Sequence, residues 1–447
     1  MSKRWKALIC LLISASISIA WGWSIQASSG GGMADFKAVY YGARCVQQGT
    51  DPYRPADFMR VYEASGGKLP SDPATNAAFR VAVPFCINLP TSLLLLLPFA
   101  ILPWNLAHYA WMVLEATGLV VAGFLALDMA GDHAHRVSLF FVCLILANCE
   151  IMLASGNLAV LAVSFSVIAI WCLEKAKFVW LGLCLLSIAL AVKPHDAGLV
   201  WLCLLMSRGF FRRSALKSLI LVLSLAFCSV FWIWHVGPHW ATELHSNLLL
   251  TSGRGDLNDP GPSSLTGNAL TMILDLQSVL SFFRDDPSFY NPVTYMICGS
   301  ILLLWMIVTM KARGAIKDIS FGLACVVPLS MLITYHRSYD AKLLLLTIPA
   351  CAALWKEGGV LKWLAFLVNG ITFLLCGDIT LSLLLVLEAK LHIALNGWTG
   401  TLVKVLMERP IPLALLTMAI FYLVVYVHRV GKRDSGDCTS AETEPAV

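Results

Sequence analysis

Long apolar runs separated by short polar breaks dominate the chain. A first apolar run covers residues 7–23, a polar stretch follows, and from Pro84 onward apolar segments succeed one another almost without pause. Runs approaching 20 apolar residues predict membrane-spanning helices. The predicted spans are 84–103, 105–127, 137–153, 157–173, 178–192, 215–236, 292–310, 318–334, 341–355, 360–377 and 410–428. The segments 197–207 and 379–403 are ambiguous.

Composition agrees with this pattern. The chain of 447 residues is 58% hydrophobic and 13% charged, with a mean hydropathy of +0.75. Soluble proteins carry about 25% charged residues. We therefore expect an all-α polytopic membrane protein with about 11–13 transmembrane helices, located in the cell inner (plasma) membrane. No basic face interleaved with aromatic residues is visible, so nucleic acid is not an expected partner.

The cysteines do not change this picture. There are fourteen, most of them inside apolar runs, where cysteine behaves as a small hydrophobic residue. No Cys-x-x-Cys pair occurs, so neither a zinc ribbon nor a redox motif is predicted. Cys45 lies in a polar segment, and we expect it to be an unpaired thiol.

The distribution of basic residues predicts orientation. Lys3, Arg4 and Lys6 precede the first apolar run, which we interpret as an uncleaved first span, although a signal peptide has the same general form. By the positive-inside rule, the basic clusters face the cytoplasm. These clusters are Arg208, Arg212, Arg213 and Lys217; Lys311, Arg313 and Lys317; Lys356 and Lys362; and His428, Arg429, Lys432 and Arg433.

Two large loops then lie on the extracytoplasmic side, at 28–83 and 237–291, within a single transmembrane domain covering 1–433. The first loop has apolar residues near helical spacing, which predicts two short interfacial helices. A surface helix is expected within 265–284, and residues 434–447 read as a disordered cytoplasmic tail. The orientation of the chain between residues 84 and 207 stays open, since different pairings of spans put the loop at Gly156 on either side.

Chemistry on water-soluble groups is expected near the interface, because a charged side chain at the bilayer centre costs several kcal/mol. The first candidate is Asp35, in the segment DFKAVYYGARCVQQGTDPY; it could equally be a helix N-cap. The second is Lys193, in Lys-Pro-His-Asp between two apolar runs, where a lysine snorkelling from a helix end is the alternative. His235 and His239, among tryptophans, read as an aromatic belt rather than a metal site.

A third candidate is the turn Tyr-His-Arg-Ser-Tyr-Asp at 335–340. Two cations, His336 and Arg337, and a carboxylate occur in a few residues there. A positive turn at the outer interface suits an anionic lipid headgroup, although a solvated loop has the same composition. Asn157 follows a glycine between apolar segments, where a simple break is the alternative. No acidic pair has a spacing that demands a metal, so no metal site is expected.

These motifs together resemble glycosyltransferase family 87. The first loop is similar to that family's pattern Asp-Phe-x-x-Tyr-Tyr-x-Ala followed by Gly-x-Asp-Pro-Tyr. Later features have the same order: a proline-bounded run ending in FAILP, a Gly-Asn pair, Lys-Pro at 193–194 and Tyr-His at 335–336. The chain departs at 155–157, which lacks the family's glutamine, and reads FCINLP where Tyr-Pro-Pro is common.

The resemblance implies a GT-C helical bundle that transfers a hexose, usually mannose, from a polyprenyl-phosphate sugar to a glycolipid or glycan acceptor on the outer face. Asp35 would be the general base, and no cofactor would be needed beyond the lipid-linked donor. The expected substrate-binding residues are Tyr40, Tyr41, Arg44, Asp51, Tyr53, Asn157, Lys193, His336 and Arg337. A transporter or flippase of lipid-linked saccharides is the alternative, but it would favour polar groups near span midpoints in two matching halves.

Overall fold

A computed structural model describes residues 3–28, 32–72, 76, 79–80, 83–132, 134–256, 258–262, 273–311, 316–380, 383 and 397–440. Within these ranges the protein is helical and contains no strand, apart from one isolated bridge between Ile273 and Arg337. The helices are α1 Lys3–Ser28, α2 Ala34–Gln47, α3 Pro55–Ala64, α4 Pro90–Ile101, α5 Trp104–Ala130, α6 His135–Leu146, α7 Glu150–Ser155, α8 Ala159–Glu174, α9 Val179–Val192, α10 Pro194–Met206, α11 Phe210–Val236, α12 Trp240–Ser252, α13 Leu276–Leu280, α14 Pro287–Lys311, α15 Ile316–Ile333, α16 Ile348–Glu357, α17 Gly359–Leu375, α18 Gly397–Glu408 and α19 Pro410–Ser440, with a 3-10 helix at Asp340–Thr347.

Six segments among the described residues are long and apolar enough to cross a membrane. They are Arg4–Ala27, Trp104–Ala130, His135–Ser155, Phe210–Val236, Pro287–Lys311 and Pro410–Gly431. Six shorter apolar helices accompany them, and large hydrophobic side chains such as Phe227, Phe231 and Met296 are about 70% exposed. Such a surface requires an apolar solvent. The chain is thus an all-α polytopic membrane protein, as composition and periodicity predicted.

The predicted span at 84–103 is wrong as a crossing. Only α4 is helical there, and its two ends contact the same end of the bundle. At its start, Thr91 and Ser92 donate to the backbone oxygens at the end of α9. At its finish, the Leu102 oxygen accepts from Tyr40 of α2 at 2.7 Å. A helix of this length, about 18 Å, therefore lies along one end of the bundle instead of traversing it.

Contacts between residues 84 and 207 show which helix ends lie together. Backbone and side-chain contacts join the Gly156 loop to α2, so the loop lies at the same end as Asp35. α8 then leads away, because at its far end Trp171 donates to Asp128 at the end of α5. α9 returns to Lys193, and α10 leads away again. The site candidates thus gather at one end, called here the loop end.

The basic clusters gather at the opposite end. Arg429 of α19 pairs with Glu357 at the end of α16 and lies 4.0 Å over the ring of Phe321 near the start of α15. From these positions α15 and α16 lead to and from the turn at 335–340. One end of the bundle therefore carries these cationic residues, and the other carries the candidate site.

Three further expectations differ from the structure. The predicted span 341–355 begins as a fully buried 3-10 helix and becomes α-helical only from Ile348. Within 265–284, only Leu276–Leu280 is helical among the described residues, and it is buried rather than on the surface. α19 continues to Ser440, through the first part of the segment predicted as a disordered tail. The ambiguous segment 379–403 lies mostly outside the described residues.

Candidate functional site

The N-terminus of α2 is fastened to the loop before α8. Met33, in the left-handed conformation with φ of 59°, precedes the helix, and its amide donates to the Ala154 oxygen at 2.8 Å. Asp35 stands in the first turn, where a negative side chain is favoured by the helix dipole. It is not the N-cap. Its Oδ2 instead accepts a hydrogen bond from Asn157 Nδ2 at 2.8 Å, so the structure joins two predicted site residues.

A glycine makes this contact possible. Gly156 has a φ of +65°, and a Cβ at this position would lie 2.8 Å from Phe36 Cβ. Only glycine adopts such a conformation freely and allows this approach. Below it, Trp111 stacks on Phe36 at 4.7 Å and donates both to the Gly156 oxygen and to Glu115. These buried rings hold the backbone that carries Asp35 and Asn157.

Tyr40, Tyr41 and Arg44 were predicted to bind substrate, but the two tyrosine side chains pack inside the protein. Tyr40 is 1% exposed and accepts from Arg44 Nη1 at 2.8 Å. Tyr41 is 3% exposed and stacks on Trp104. These contacts attach α2 to the start of α5 and leave the two tyrosine rings no open surface. Tyr40 and Tyr41 therefore support the site from behind, which corrects their assignment to substrate, whereas the role of the partly exposed Arg44 stays a prediction.

Asp51 and Tyr53 also differ from the prediction. Tyr53 is fully buried, and its hydroxyl donates to the Asn88 oxygen at 2.8 Å. Asp51 is 5% exposed, accepts from the Tyr53 amide and lies against Glu243 of α12. Burial first, and then the neighbouring Glu243 carboxyl, raise the pKa of Asp51 to about 6. This pair joins the two large loops and does not face an open site.

Lys193 lies at the sharp junction between α9 and α10, in a cluster of buried charges. Its Nζ pairs with Asp340 Oδ1 and lies 3.4 Å from Asp196 Oδ2. Both carboxylates are at most 2% exposed, whereas the lysine side chain is 13% exposed. A buried lysine requires such partners because its desolvation is costly. The cluster formed by Lys193, His195, Asp196, His336 and Asp340 is called here the open cluster.

His336 is fully buried in this cluster. Its Nδ1 lies 2.8 Å from the Thr334 oxygen, which can only accept, so Nδ1 carries a proton. Its Nε2 lies 3.2 Å from Asp196 Oδ1. The Nε2 of His195 lies 3.8 Å from the same oxygen, and the two imidazole rings meet edge to face at 4.9 Å. His336 therefore faces Asp196 and not the open surface, where the sequence placed it.

Arg337 connects the turn at 335–340 with Asp35. Burial lowers the pKa of the Arg337 guanidinium, but nearby Tyr335 and Tyr339 raise it more. Asp35 adds a smaller contribution in the same direction, so the pKa is raised overall. The pKa of Tyr339 is raised chiefly by burial and next by Tyr335, and Asp35 raises it further. These influences put the Asp35 carboxylate in the electrostatic surroundings of the turn. Segment 273–274 holds the turn in place, since the Leu274 amide donates to the His336 oxygen at 2.9 Å.

Several residues of this end escaped sequence reasoning. His195 and Asp196 stand beside Lys193 in the sequence, and the cost of an isolated charge in apolar sequence pointed to a nearby partner. Glu115 is likewise a charged residue within an apolar run, that of α5, so the same argument pointed to a nearby partner. Asp340 was part of the recognised turn, but its pairing with a residue 147 positions away could not be read from one sequence.

No protein-family model matches the chain. A comparison with curated proteins gives no match, and a comparison with solved structures gives none either. Fold and site therefore define a class only: a polytopic all-α membrane protein with a half-buried carboxylate and a cluster of buried charges at one end of its bundle.

Proposed function

We propose that the protein is a membrane glycosyltransferase of GT-C architecture, which moves a hexose, most simply mannose, from a polyprenyl phosphate to a glycolipid or glycan acceptor. The observation that carries this proposal is the position of Asp35. Its carboxylate is half-buried, oriented by Asn157, and electrostatically close to the cationic turn at Arg337. A base and a phosphate-binding group in the same electrostatic surroundings are what transfer from a lipid phosphate needs.

The reaction follows from these groups. Asp35 accepts the proton of the acceptor hydroxyl while the hydroxyl oxygen attacks the anomeric carbon. The bond between that carbon and the phosphate oxygen breaks, and the lipid phosphate leaves with the electron pair. Because the acceptor attacks opposite the leaving group in one displacement, the anomeric centre inverts. Lys193 and Arg337 supply positive charge to the departing phosphate.

The geometry is less favourable to a transporter. Alternating access places substrate near the bilayer midplane, between two related halves. Here the buried charges of the open cluster lie at helix ends and in the turn at 335–340, at the loop end. The cationic loops at the other end support an extracytoplasmic position of the loop end by the positive-inside rule, and the proposed location is a cell inner membrane.

The direct test is transfer from radiolabelled polyprenyl-phosphate mannose in membranes holding equal amounts of wild type, Asp35→Asn and Asp57→Asn. Asp57 is the matched control, because it forms exposed ion pairs with Arg54 and Arg60 on α3. We expect Asp35→Asn to lose about 10²–10⁴-fold in rate and Asp57→Asn to keep the wild-type rate. Equal rates in all three would refute the role of Asp35. Absence of transfer with a panel of labelled lipid-phosphate sugars would refute the proposed activity.

A further inference from the structure

Three side chains of the open cluster converge on one point. His195, Asp196 and His336 each offer one atom, and these atoms lie within 4.8 Å of one another. Of the residues that the structure describes, no other group of three His, Cys, Asp or Glu side chains meets this condition. We propose that these residues form a binding site for one divalent transition-metal ion.

The separations between the atoms fit a shared ion. Asp196 Oδ1 lies 3.2 Å from His336 Nε2 and 3.8 Å from His195 Nε2. Metal–ligand bonds of about 2.1 Å at tetrahedral angles put neighbouring ligand atoms about 3.4 Å apart. Two imidazoles and one carboxylate leave further coordination positions open to water or a substrate oxygen, as in catalytic rather than closed structural sites.

Unsatisfied polar atoms are the second observation. The buried carboxylate oxygens of Asp196 and Nε2 of His336 make no well-aligned hydrogen bond, although Nε2 lies 3.2 Å from Oδ1 and Lys193 Nζ lies 3.4 Å from Oδ2. Their residues are 1% and 0% exposed, so bulk water does not reach these atoms. Buried polar groups without hydrogen bonds are rare and costly. An ion bound between Oδ1 and Nε2 would satisfy both atoms at once.

The surrounding groups orient these ligands. The Nδ1 proton of His336 is directed at the Thr334 oxygen, which leaves the Nε2 lone pair for a metal. Lys193 lies on the other oxygen of Asp196, Oδ2, at 3.4 Å, and so leaves Oδ1 to the ion. His195 is 38% exposed, which gives an ion and its ligand a path from the surface.

Charge balance indicates what the ion would bind. The formal charges of Lys193, Arg337, Asp196 and Asp340 cancel, so the two carboxylates offset part of the positive charge that Lys193 and Arg337 present to a phosphate. A divalent ion held by Asp196 and two neutral imidazoles makes the cluster cationic. The expected ligand at the open positions is a phosphate oxygen, which under the proposed function belongs to the lipid-linked donor.

The test measures metal binding by itself, without sugar transfer. The full-length protein in detergent is stripped with a chelator and titrated with Zn²⁺ and, separately, Co²⁺. Bound Zn²⁺ is counted by mass spectrometry and Co²⁺ by its visible absorption. We expect one equivalent in the wild type, and at least about tenfold weaker binding in Asp196→Asn and His195→Ala. His239→Ala, an exposed histidine outside the cluster, should bind as the wild type does.

The outcomes separate this inference from the proposed function. Stoichiometric binding that depends on His195 and Asp196 supports the metal site, even if no sugar is ever transferred. A wild-type protein that binds neither ion below about 1 mM overturns it, as does equal binding by wild type and Asp196→Asn. If transfer is observed and persists unchanged after chelation, the proposed transferase activity is supported and a catalytic role of the ion is refuted. Thermal melting of each variant confirms that the fold is intact.

Discussion

In the part of the chain that the structure describes, two buried lysine–aspartate clusters lie at the same end, and they differ in the groups that surround the carboxylate. Lys342 is 2% exposed, lies 3.8 Å from Asp378 Oδ1 and donates to the Cys376 oxygen at 3.2 Å. Asp378 Oδ2 accepts from the Ile151 amide at 3.0 Å. This closed cluster ties the end of α17 to the start of α7.

The open cluster around Lys193 has a different organisation. Its lysine is partly exposed, Asp196 lacks well-aligned hydrogen bonds at both oxygens, and two imidazoles stand beside it. The same pair of residue types thus serves two purposes. Where backbone amides and carbonyls complete the coordination, the pair is a structural joint. Where buried atoms are left without hydrogen bonds near the surface, the pair is prepared for a ligand.

The largest expected effect comes from breaking the closed cluster. Lys342→Met removes the cation and leaves the buried Asp378 without its compensating charge. We expect a loss of stability of about 3–5 kcal/mol. Thermal melting in detergent measures it, with Lys177→Met, at an exposed lysine, as the control. An unchanged melting temperature in Lys342→Met would mean that the closed cluster is not a structural joint.

The next effect concerns the loop that carries Asn157. Gly156→Ala introduces a Cβ into a left-handed conformation and against Phe36. We expect a destabilisation of about 1–3 kcal/mol. Gly49→Ala is a suitable control, because this glycine after α2 has a similar φ of +67° but no atom within 4 Å of the added Cβ. If both variants melt alike, backbone conformation and not the approach to α2 accounts for the loss.

A smaller effect is expected from Asn157→Ala. This change removes the hydrogen bond that orients Asp35 but leaves the base itself. We expect kcat to fall about tenfold, equivalent to about 1.4 kcal/mol, with KM nearly unchanged. Steady-state transfer kinetics measure this, and Asn157→Asp serves as a second variant with similar size but no amide donor. A rise in KM alone would make Asn157 a binding residue.

The smallest effect concerns Asp51, a buried carboxyl outside both clusters. Its pKa is raised to about 6, so the folded protein binds this proton more tightly than the unfolded chain does. The stabilisation is complete below about pH 4 and is lost as the pH rises through 6. Asp51→Asn should therefore be more stable than the wild type at pH 7, by about 1 kcal/mol, and equal to it near pH 4. Melting curves across this range measure it; an advantage that grows at low pH would contradict the assignment.

The sequence predicted the fold well where burial alone determines structure. Apolar periodicity located most helices, and the basic clusters identified the end opposite the site. It failed at 84–103, because a proline-bounded apolar run can lie along a bundle as well as cross it, and only the contacts of Thr91 and Leu102 decide which.

The candidate site was predicted in part. The structure brings Asp35, Asn157, Lys193 and Arg337 to the loop end, and their roles stay predictions. Tyr40, Tyr41 and Tyr53 were assigned to substrate because aromatic and polar residues mark binding loops, yet Tyr40 and Tyr41 attach α2 to α5 and Tyr53 bonds to the Asn88 oxygen. No metal site was predicted, because no acidic pair had a suitable spacing and His235 and His239 were interpreted as part of an aromatic belt. The proposed metal ligands come from two segments far apart in the sequence, His195 and Asp196 in one and His336 in the other, so no short spacing motif reveals them.

The most direct test of the contrast between the clusters is the binding of polyprenyl phosphate, the leaving group alone, to the purified protein in nanodiscs. Tryptophan fluorescence titrations would compare the wild type with Lys193→Met, Lys177→Met and Asp35→Asn. If the open cluster receives the phosphate, Kd rises at least about tenfold in Lys193→Met and stays at the wild-type value in the other two. Equal affinity in Lys193→Met and the wild type, with both folded, would contradict it.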